Sequence, residues 1–372
     1  MDNALKNIIK SNKLNAREKA KRFAYYYARK RGAEKSWTNR HHKVFEQRPS
    51  YNEPCAAGVE SVHQQKWSVF RQKVDMSTLR ICKNISGHAD ERIIPEDIFV
   101  SDIEPTLMLD ESGHFLSHKS FYNRWFPEGV FPKDMLHCIN GQHLDADFNP
   151  ISFDDLIKKA KSISYPVVIK PNWDSYGGEG VFFAENIERL ASLCEQSNNF
   201  VVEEQIIQHD FFSKYNPMGL NTIRVYVYKS VKDNCHHVIN MALRMGKGGS
   251  LDNESLGGIH KLINPDGYMN NYAVDKYGEK YLKHPDTGYA FDERIPAFEE
   301  LKSLSRKIAS QVYFTRIVGL DVCYDADSNW RVIEVNTKGH TIRFSQYGGQ
   351  PFFGKFTDEV IRHCRQNHWV LQ

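Results

Sequence analysis

Long apolar runs are missing from this sequence. No stretch of eighteen consecutive apolar residues occurs in the 372 residues, which argues against a membrane-spanning helix. The opening MDNALKNIIKSNK lacks the apolar centre of a secretory signal. Cysteine is sparse and odd in number: Cys55, Cys82, Cys138, Cys194, Cys235, Cys323 and Cys364 are scattered, with no CxxC pair. That distribution excludes a disulfide framework and argues against a structural zinc. It fits free thiols that serve as packing groups in a reducing, cytoplasmic setting. Internal repeats and low-complexity tracts are absent. So are RNP, zinc-finger and helix-turn-helix patterns, so a nucleic-acid partner is not expected. A Walker A loop is also lacking, because no GK[ST] follows the one glycine cluster that ends a strand.

What is present is an ordinary globular composition, 41% hydrophobic and 26% charged, with a length suited to two or three domains. Charge is unevenly spread. Residues 1–48 hold fourteen Lys and Arg against Asp2, Glu18, Glu34 and Glu46, a local excess of +10. The whole chain is only +3, so the remainder is near −7. A basic segment of this kind could make peripheral contact with an anionic membrane, a nucleic acid or an acidic glycan. The commoner outcome is a solvated face that packs on its own acidic body.

Residues 1–35 read as basic helix, with Phe23, Tyr26 and Tyr27 as its apolar stripe, and residues 59–74 as the best helix of an otherwise irregular stretch to 100. Residues 98–109 read as strand, and 115–126 as a helix that Ser117 would cap. Beyond that, strands and helices alternate. Strands are expected at 166–170, 180–183 and 200–205, with helices at 154–162 and 186–196. A long antiparallel pair is expected at 221–229 and 237–245, a functional loop at 246–271 and a helix at 296–312. Residues 319–336 read as strand, polar turn and returning strand.

That last hairpin is the most informative. Side chains two apart on a strand share a face, so Glu334 and Asn336 point the same way while Ile333 and Val335 pack behind them. Asp321 on the partner strand can complete a ring of hard oxygen ligands of the kind Mg²⁺ takes when phosphates supply the rest of its shell. The alternative is an acidic hairpin edge carrying solvated carboxylates. Upstream, YPVVIKP places Lys170 at a strand end, where an ammonium can meet phosphate oxygens. The glycines Gly177, Gly178 and Gly180 that follow would let backbone N–H groups approach an anion, although a glycine turn between strands is more often only a hairpin. FVVEEQI (200–206) ends an apolar strand in two acids. Its backbone could bond an adenine edge and a carboxylate could take ribose hydroxyls, or it is simply a charged strand end. Arg224 and Arg244 alternate with apolar neighbours on predicted strands and could grip a carboxylate. The bland reading is a surface ion pair, which is favoured for Arg343 and His340.

The ordered set of SHK ending at Lys119, VVIKP with SYGGEG (175–180), VVEEQI, NTIRVYVY with Arg224, ALRMG with Arg244, DN ending at Asn253 before Gly257-Gly258, and LD321 with IEVN resembles the ATP-grasp superfamily. Within it, the chain is most similar to the sugar-transfer-associated ATP-grasp proteins found with glycan biosynthesis. It shares the order of its arginine, asparagine and glycine motifs with ribosomal-protein glutamate ligases and related amino-acid ligases. The resemblance spans roughly 115–356. It implies an α+β chain in which two α/β lobes clamp ATP: a basic helical region at 1–95, a lobe at 96–205 with a phosphate lid, and a lobe at 206–372 with the metal and substrate site.

By the same resemblance, Lys119 and Lys170 would hold ATP phosphates. Ser175, Gly177, Gly178, Glu179, Gly180 and Val181 would close over them. Glu203, Glu204, Gln205 and Ile206 would hold adenine and ribose, with Asn221 beside them. Asp321, Glu334 and Asn336 would carry two Mg²⁺ ions, for which Mn²⁺ could substitute. Arg224, Arg244, Gly249, Ser250, Asn253, Gly257, Gly258, His340 and Arg343 would face the substrate. The sequence departs from the family pattern at His118, where Asp is usual, and at Thr337-Lys338-Gly339-His340 after the last metal ligand. The implied chemistry is carboxylate activation by ATP followed by amine attack, catalysed by Lys170, Arg224 and Arg244, with a sugar acid or nucleotide sugar as one partner. A phosphotransferase acting on a hydroxyl, or a nucleotide-binding protein without turnover, are the alternatives.

Overall fold

The computed structural model describes residues 2–173, 180–248 and 257–371. Helix α1 (Asn3–Lys10) leads into the 32-residue helix α2 (Ala16–Gln47). Asn15 caps α2 through a reciprocal capping box with Glu18, which satisfies two of the donors a helix start leaves open. Only Tyr26, Ala33, His41 and Val44 of α2 are buried. Of the expected stripe, Tyr26 alone packs inward, whereas Phe23 and Tyr27 face solvent. Tyr26 and Phe23 are three residues apart, but the helix contacts the body along one narrow line, so three aromatics spanning about 100° cannot all reach it.

A buried polar knot ties α2 to both the middle and the end of the chain. The Tyr26 hydroxyl donates to Asp102 Oδ1 at 2.8 Å, where His368 Nε2 also bonds at 3.0 Å. Arg71 reaches Asp102 Oδ2 at 2.8 Å. Burial opposes a charge on Asp102, but Arg71 and His368 outweigh it and hold the carboxyl at about 2.

Helices α3 (Ala57–Trp67) and α4 (Ser77–Ser86) follow. Residues 96–107 are helical throughout, with a π-helical turn over Phe99–Ile103, and they include most of the segment 98–109 expected as strand. Ile98, Phe99, Ile103 and Leu107 recur at helical spacing and pack on Tyr226, Tyr228 and Ile317 of the larger sheet. The segment 115–126 is likewise not one helix. Short 3₁₀ turns at Glu111–Ser117 and Lys119–Phe121 precede a single turn at Tyr122–Trp125, so Ser117 caps nothing there.

Two antiparallel sheets carry the rest. The first orders its strands β2-β1-β5-β3-β4, formed by β1 (Asp134–Ile139), β2 (Gln142–Asp145), β3 (Val167–Pro171), β4 (Phe182–Ala184) and β5 (Phe200–Glu204). Helices Phe153–Ala160 and Ile187–Glu195, capped by Ser152 and Asn186, cover one face.

The second sheet orders β10-β9-β8-β7-β6-β11-β12. Its strands are β6 (Thr222–Lys229), β7 (His236–Met245), β8 (Ile259–Ile263), β9 (Ala273–Val274), β10 (Lys280–Tyr281), β11 (Ile317–Tyr324) and β12 (Trp330–Asn336). Strand β8 lies inside the stretch expected as a loop. Its run Ile259-His-Lys-Leu-Ile263 is fully buried, so it lacks the polar alternation that marks a half-exposed strand. Helix Phe298–Ala309 seals one face of the sheet through Phe298, Leu301 and Ile308, which pack with Val225, Leu243 and Leu320.

Candidate functional site

The opposite face of the second sheet carries charge. Strand pairing sets Arg224 of β6 beside Asp321 of β11, and Asp321 beside Glu334 of β12, in one row across three strands. Arg224 grips Asp321 with Nε and with Nη2, the latter at 2.9 Å. Arg244, two residues along β7 from Ala242, the partner of Arg224, adds Nη1 at 3.1 Å from the same carboxylate. All three side chains are close to buried, so this is an interior charge cluster and not a solvated sheet edge. Burial opposes ionisation of Asp321, yet Arg224 and then Arg244 hold its carboxyl at about 2.

Glu334 accepts from Lys119 Nζ at 3.0 Å. The register shift next to Asp321 has a consequence that strict alternation could not convey. Two residues of β12 lie where one should, so Ile333 joins Glu334 at the cavity, while Val335, which also borders it, is buried against the core. Ile333 therefore corrects the expectation that it sits in the core.

Across the cavity, Lys170 on β3 donates to Glu203 on β5. Asp134 on β1 pairs opposite Glu203, and burial together with that neighbouring negative charge pushes its carboxyl up to about 7. Lys119 is fixed through its backbone, which donates to the Asn172 carbonyl at 3.1 Å, while Ser120 bonds the Asn172 side chain at 2.7 Å. Gly180 has a left-handed φ of +75°, and a Cβ there would lie 2.7 Å from Pro171 Cγ; glycine is required at this approach to the strand carrying Lys170.

Both sheets contribute to one cavity of about 1440 Å³. Lys119, Lys170, Val181, Glu204, Gln205, Ile206, Arg224, Arg244, Asp321, Glu334 and Asn336 line it. Glu203 stands behind Lys170 and is not among the lining residues. Glu204 is held by Arg331 at 2.7 Å and by the Lys133 amide at 2.9 Å. Asn221 also stands behind the wall, bonding Gln208 and the Phe212 carbonyl.

His340 is buried beneath Gly339 and Thr341, its ring held between Glu104 at 2.8 Å and the Asn336 carbonyl at 3.1 Å. Arg343 stacks over Trp37, 5.5 Å from its centroid. Gly257 and Gly258 adjoin β8 and do not line the cavity. Ser175, Gly177, Gly178, Glu179, Gly249, Ser250 and Asn253 lie outside the described residues.

Several lining residues carry no local sequence signal. Tyr25 and Arg29 of α2, Met108, Leu109, Phe314 and Trp369 also line the cavity. Only the tertiary fold brings residues 25 and 369 to one wall.

The donor set suits a hard divalent cation. Asp321 and Glu334 offer carboxylates as neighbours on adjacent strands, and the buried Asn336 Nδ2 has no partner among the described residues, which lets that amide present its oxygen. Among the described residues no three His, Cys, Asp or Glu side chains are gathered as a ready metal centre. A cation here would need oxygens from a phosphate, and the lysine and arginines now on the carboxylates would need to share them.

The sequence profile of the family described as sugar-transfer associated ATP-grasp matches residues 183–357. A 48-residue stretch is 44% identical to the arginine-specific large chain of carbamoyl phosphate synthase from Halalkalibacterium halodurans, covering 13% of this chain and 4% of that protein. Among solved structures, similarity extends to the biotin carboxylase domain of Hydrogenobacter thermophilus 2-oxoglutarate carboxylase. That match has 15% identity and a TM-score of 0.41, over 68% of this chain and 46% of the other. The N5-carboxyaminoimidazole synthase of Aspergillus clavatus is similar at 11% identity and a TM-score of 0.37, over 66% and 50%. The chain thus spans about half of these structures and a small part of the curated relative. Residues 183–357, a little under half of this α+β chain, are thus similar to the sugar-transfer associated ATP-grasp family, and they include the strands β6–β12 and the acidic hairpin that lines the cavity.

Proposed function

We propose that the protein is an ADP-forming, ATP- and Mg²⁺-dependent carboxylate–amine ligase that works in the cytoplasm. It would join an amino acid or other amine to a sugar acid in glycan biosynthesis. The observation that carries this reading is the single cavity in which Lys119 and Lys170 face a row of Arg244, Arg224, Asp321 and Glu334. One end suits the anionic oxygens of a nucleotide, and the next suits a carboxylate about to receive a phosphoryl group. The family description supports a sugar-bearing substrate.

ATP would lie between the sheets, its base against the apolar side chains of Val168, Val181, Ile206 and Ile333 and the backbone of 204–206. Lys170 and Lys119 would then exchange their carboxylate partners for phosphate oxygens, which keeps each ammonium paired. Asp321, Glu334 and Asn336 would hold Mg²⁺, which neutralises phosphate oxygens when bound. Arg224 and Arg244 would orient the substrate carboxylate for in-line attack on the γ-phosphorus, with the bond to the β-phosphate oxygen breaking and ADP leaving. The amine nitrogen then attacks the acyl carbon, phosphate departs, and the nitrogen loses its proton to give the amide. Fixed cations facing developing negative charge supply the catalysis, and no covalent protein nucleophile is needed.

The test is product analysis with purified protein, ATP and Mg²⁺ over a panel of amino acids and uronic acids, beside a Glu334→Gln variant. ADP release that requires both an acid and an amine, with an amide found by mass spectrometry and lost in the variant, is expected. ADP formed with a hydroxyl substrate and no amine would make the protein a kinase. ATP binding without turnover across the panel would oppose the ligase reading.

A further inference from the structure

The outward face of α2 is used neither by the fold nor by the cavity. Arg17, Lys21, Ala24, Ala28, Arg31 and Lys35 follow one another at spacings of four, three, four, three and four, so they form one straight row. All six are exposed, and no acid interrupts them. At about 1.5 Å rise per residue the row is roughly 27 Å long. Glu18 and Glu46 are the exposed acids of the helix and stand off its side and beyond its end; Glu34 is turned toward Lys30, Arg31 and Arg71.

Beside the row, exposed aromatics protrude. Phe23 and Tyr27 stack nearly parallel at 6.5 Å, and the Arg31 guanidinium lies 5.5 Å from the Tyr27 ring. Ile9, 49% exposed, is held at the first turn of the same helix, its carbonyl accepting from Lys19 Nζ.

We infer that this face docks the protein on an anionic lipid bilayer. Three observations favour a bilayer over another polyanion. The row is straight and lies on a helix that buries only four of its 32 residues, so it can meet a plane without the body obstructing it. The alanines at its centre let the backbone approach closely while the long cationic side chains spread to headgroups on either side. Ile9, Phe23 and Tyr27 gain nothing from phosphates alone but gain by entering a headgroup region, where aromatic and cationic residues act together. Tyr27 sits between Phe23 and Arg31, one turn to either side, and so offers no open ring face to a nucleobase.

The knot of Tyr26, Arg71, Asp102 and His368 holds the opposite side of the helix, so the row is presented rigidly. Tyr25 and Arg29, on a flank of the same helix, line the end of the cavity where Trp369 stands. Docking would therefore bring that end of the cavity next to the lipid surface. The inference does not depend on which reaction the cavity performs.

The test is co-sedimentation of the full chain with vesicles of phosphatidylcholine, and of phosphatidylcholine mixed with phosphatidylglycerol. Binding to the anionic vesicles only, weakening as salt rises, is expected. Changing Arg17, Lys21, Arg31 and Lys35 to Glu together should lower partitioning at least roughly a hundredfold, since each headgroup contact contributes several-fold. Phe23→Ser with Tyr27→Ser should lower it less and leave the salt slope intact. Melting curves of both variants that match the parent show that folding is retained, as exposed positions allow. No sedimentation with anionic vesicles at low salt would overturn the inference. Equal or tighter binding of duplex DNA or heparin by the same four cations would also overturn it, in favour of a soluble polyanion.

Discussion

Asp321 carries two burdens that the structure separates. Its carboxylate is the shared counter-charge of Arg224 and Arg244, and it also stands in the row expected to receive the nucleotide. Asp321→Asn keeps the shape and removes the charge. The carboxyl is held at about 2, against an ordinary value of 3.8, a difference that corresponds to about 2–3 kcal/mol of folding stability at neutral pH. Asp321→Ala also strips the hydrogen bonds and leaves two buried guanidiniums facing each other, for which about 3–5 kcal/mol is expected.

The sign of the pH dependence follows. A depressed carboxyl stabilises the fold above its unfolded value, and that contribution is lost as pH falls from about 4 through about 2. Glu334 provides the contrast, because it is 27% exposed and has one lysine partner. Glu334→Gln should cost under about 1 kcal/mol and yet abolish turnover. Urea unfolding followed by tryptophan fluorescence, with ADP release measured on the same preparations, reads both quantities. Equal stability losses in Asp321→Asn and Glu334→Gln, or a loss below about 0.5 kcal/mol in Asp321→Ala, would refute the view that the arginine–aspartate cluster is a structural strut.

Other outcomes follow from single contacts. Asp134, pushed up to about 7 by burial and by Glu203, favours its neutral form in the fold. Its contribution is full below about pH 4 and is lost as pH rises through about 7. The stability of Asp134→Asn relative to the parent should therefore rise by on the order of 1 kcal/mol per pH unit between those limits, as pH-dependent denaturation would show. Asp102→Ala leaves Arg71 buried beside an empty site and should cost about 3–5 kcal/mol. Limited proteolysis should then release the first two helices sooner. Ile333→Ala removes an apolar wall of the nucleotide cleft and should weaken ATP binding roughly tenfold by calorimetry with little change in stability. At Gly319 an added Cβ would lie 3.1 Å from His340 and 3.2 Å from Tyr226. Gly319→Ala should displace the ring that braces Asn336 and cost about 1–3 kcal/mol.

The sequence by itself determined the parts whose physics is local. Short apolar runs mark β3 and β5, and alternation with turn residues marks β6, β7 and the β11–β12 hairpin. The helices after Ser152 and Asn186 were legible from their apolar periodicity, and Lys170, the arginines and the acids of the cleft stand within recognisable strand motifs. Residues 96–107 and β8 were misleading because both are buried on all sides. Polar side chains are buried with the apolar ones, Asp102 and Thr106 in the helical segment and His260 and Lys261 in β8, so polarity no longer marks an exposed face and the period is hidden.

Only the tertiary structure could decide the rest. Arg224 meets Asp321 across 97 residues through strand register. Ile333 enters the cleft because a bulge adds one residue to β12. Tyr25 and Trp369, at opposite ends of the chain, share a cavity wall because a buried carboxylate at Asp102 draws Tyr26 and His368 together. Each is a contact between segments whose spacing in sequence carries no period, so its energy appears only once the chain has closed on itself.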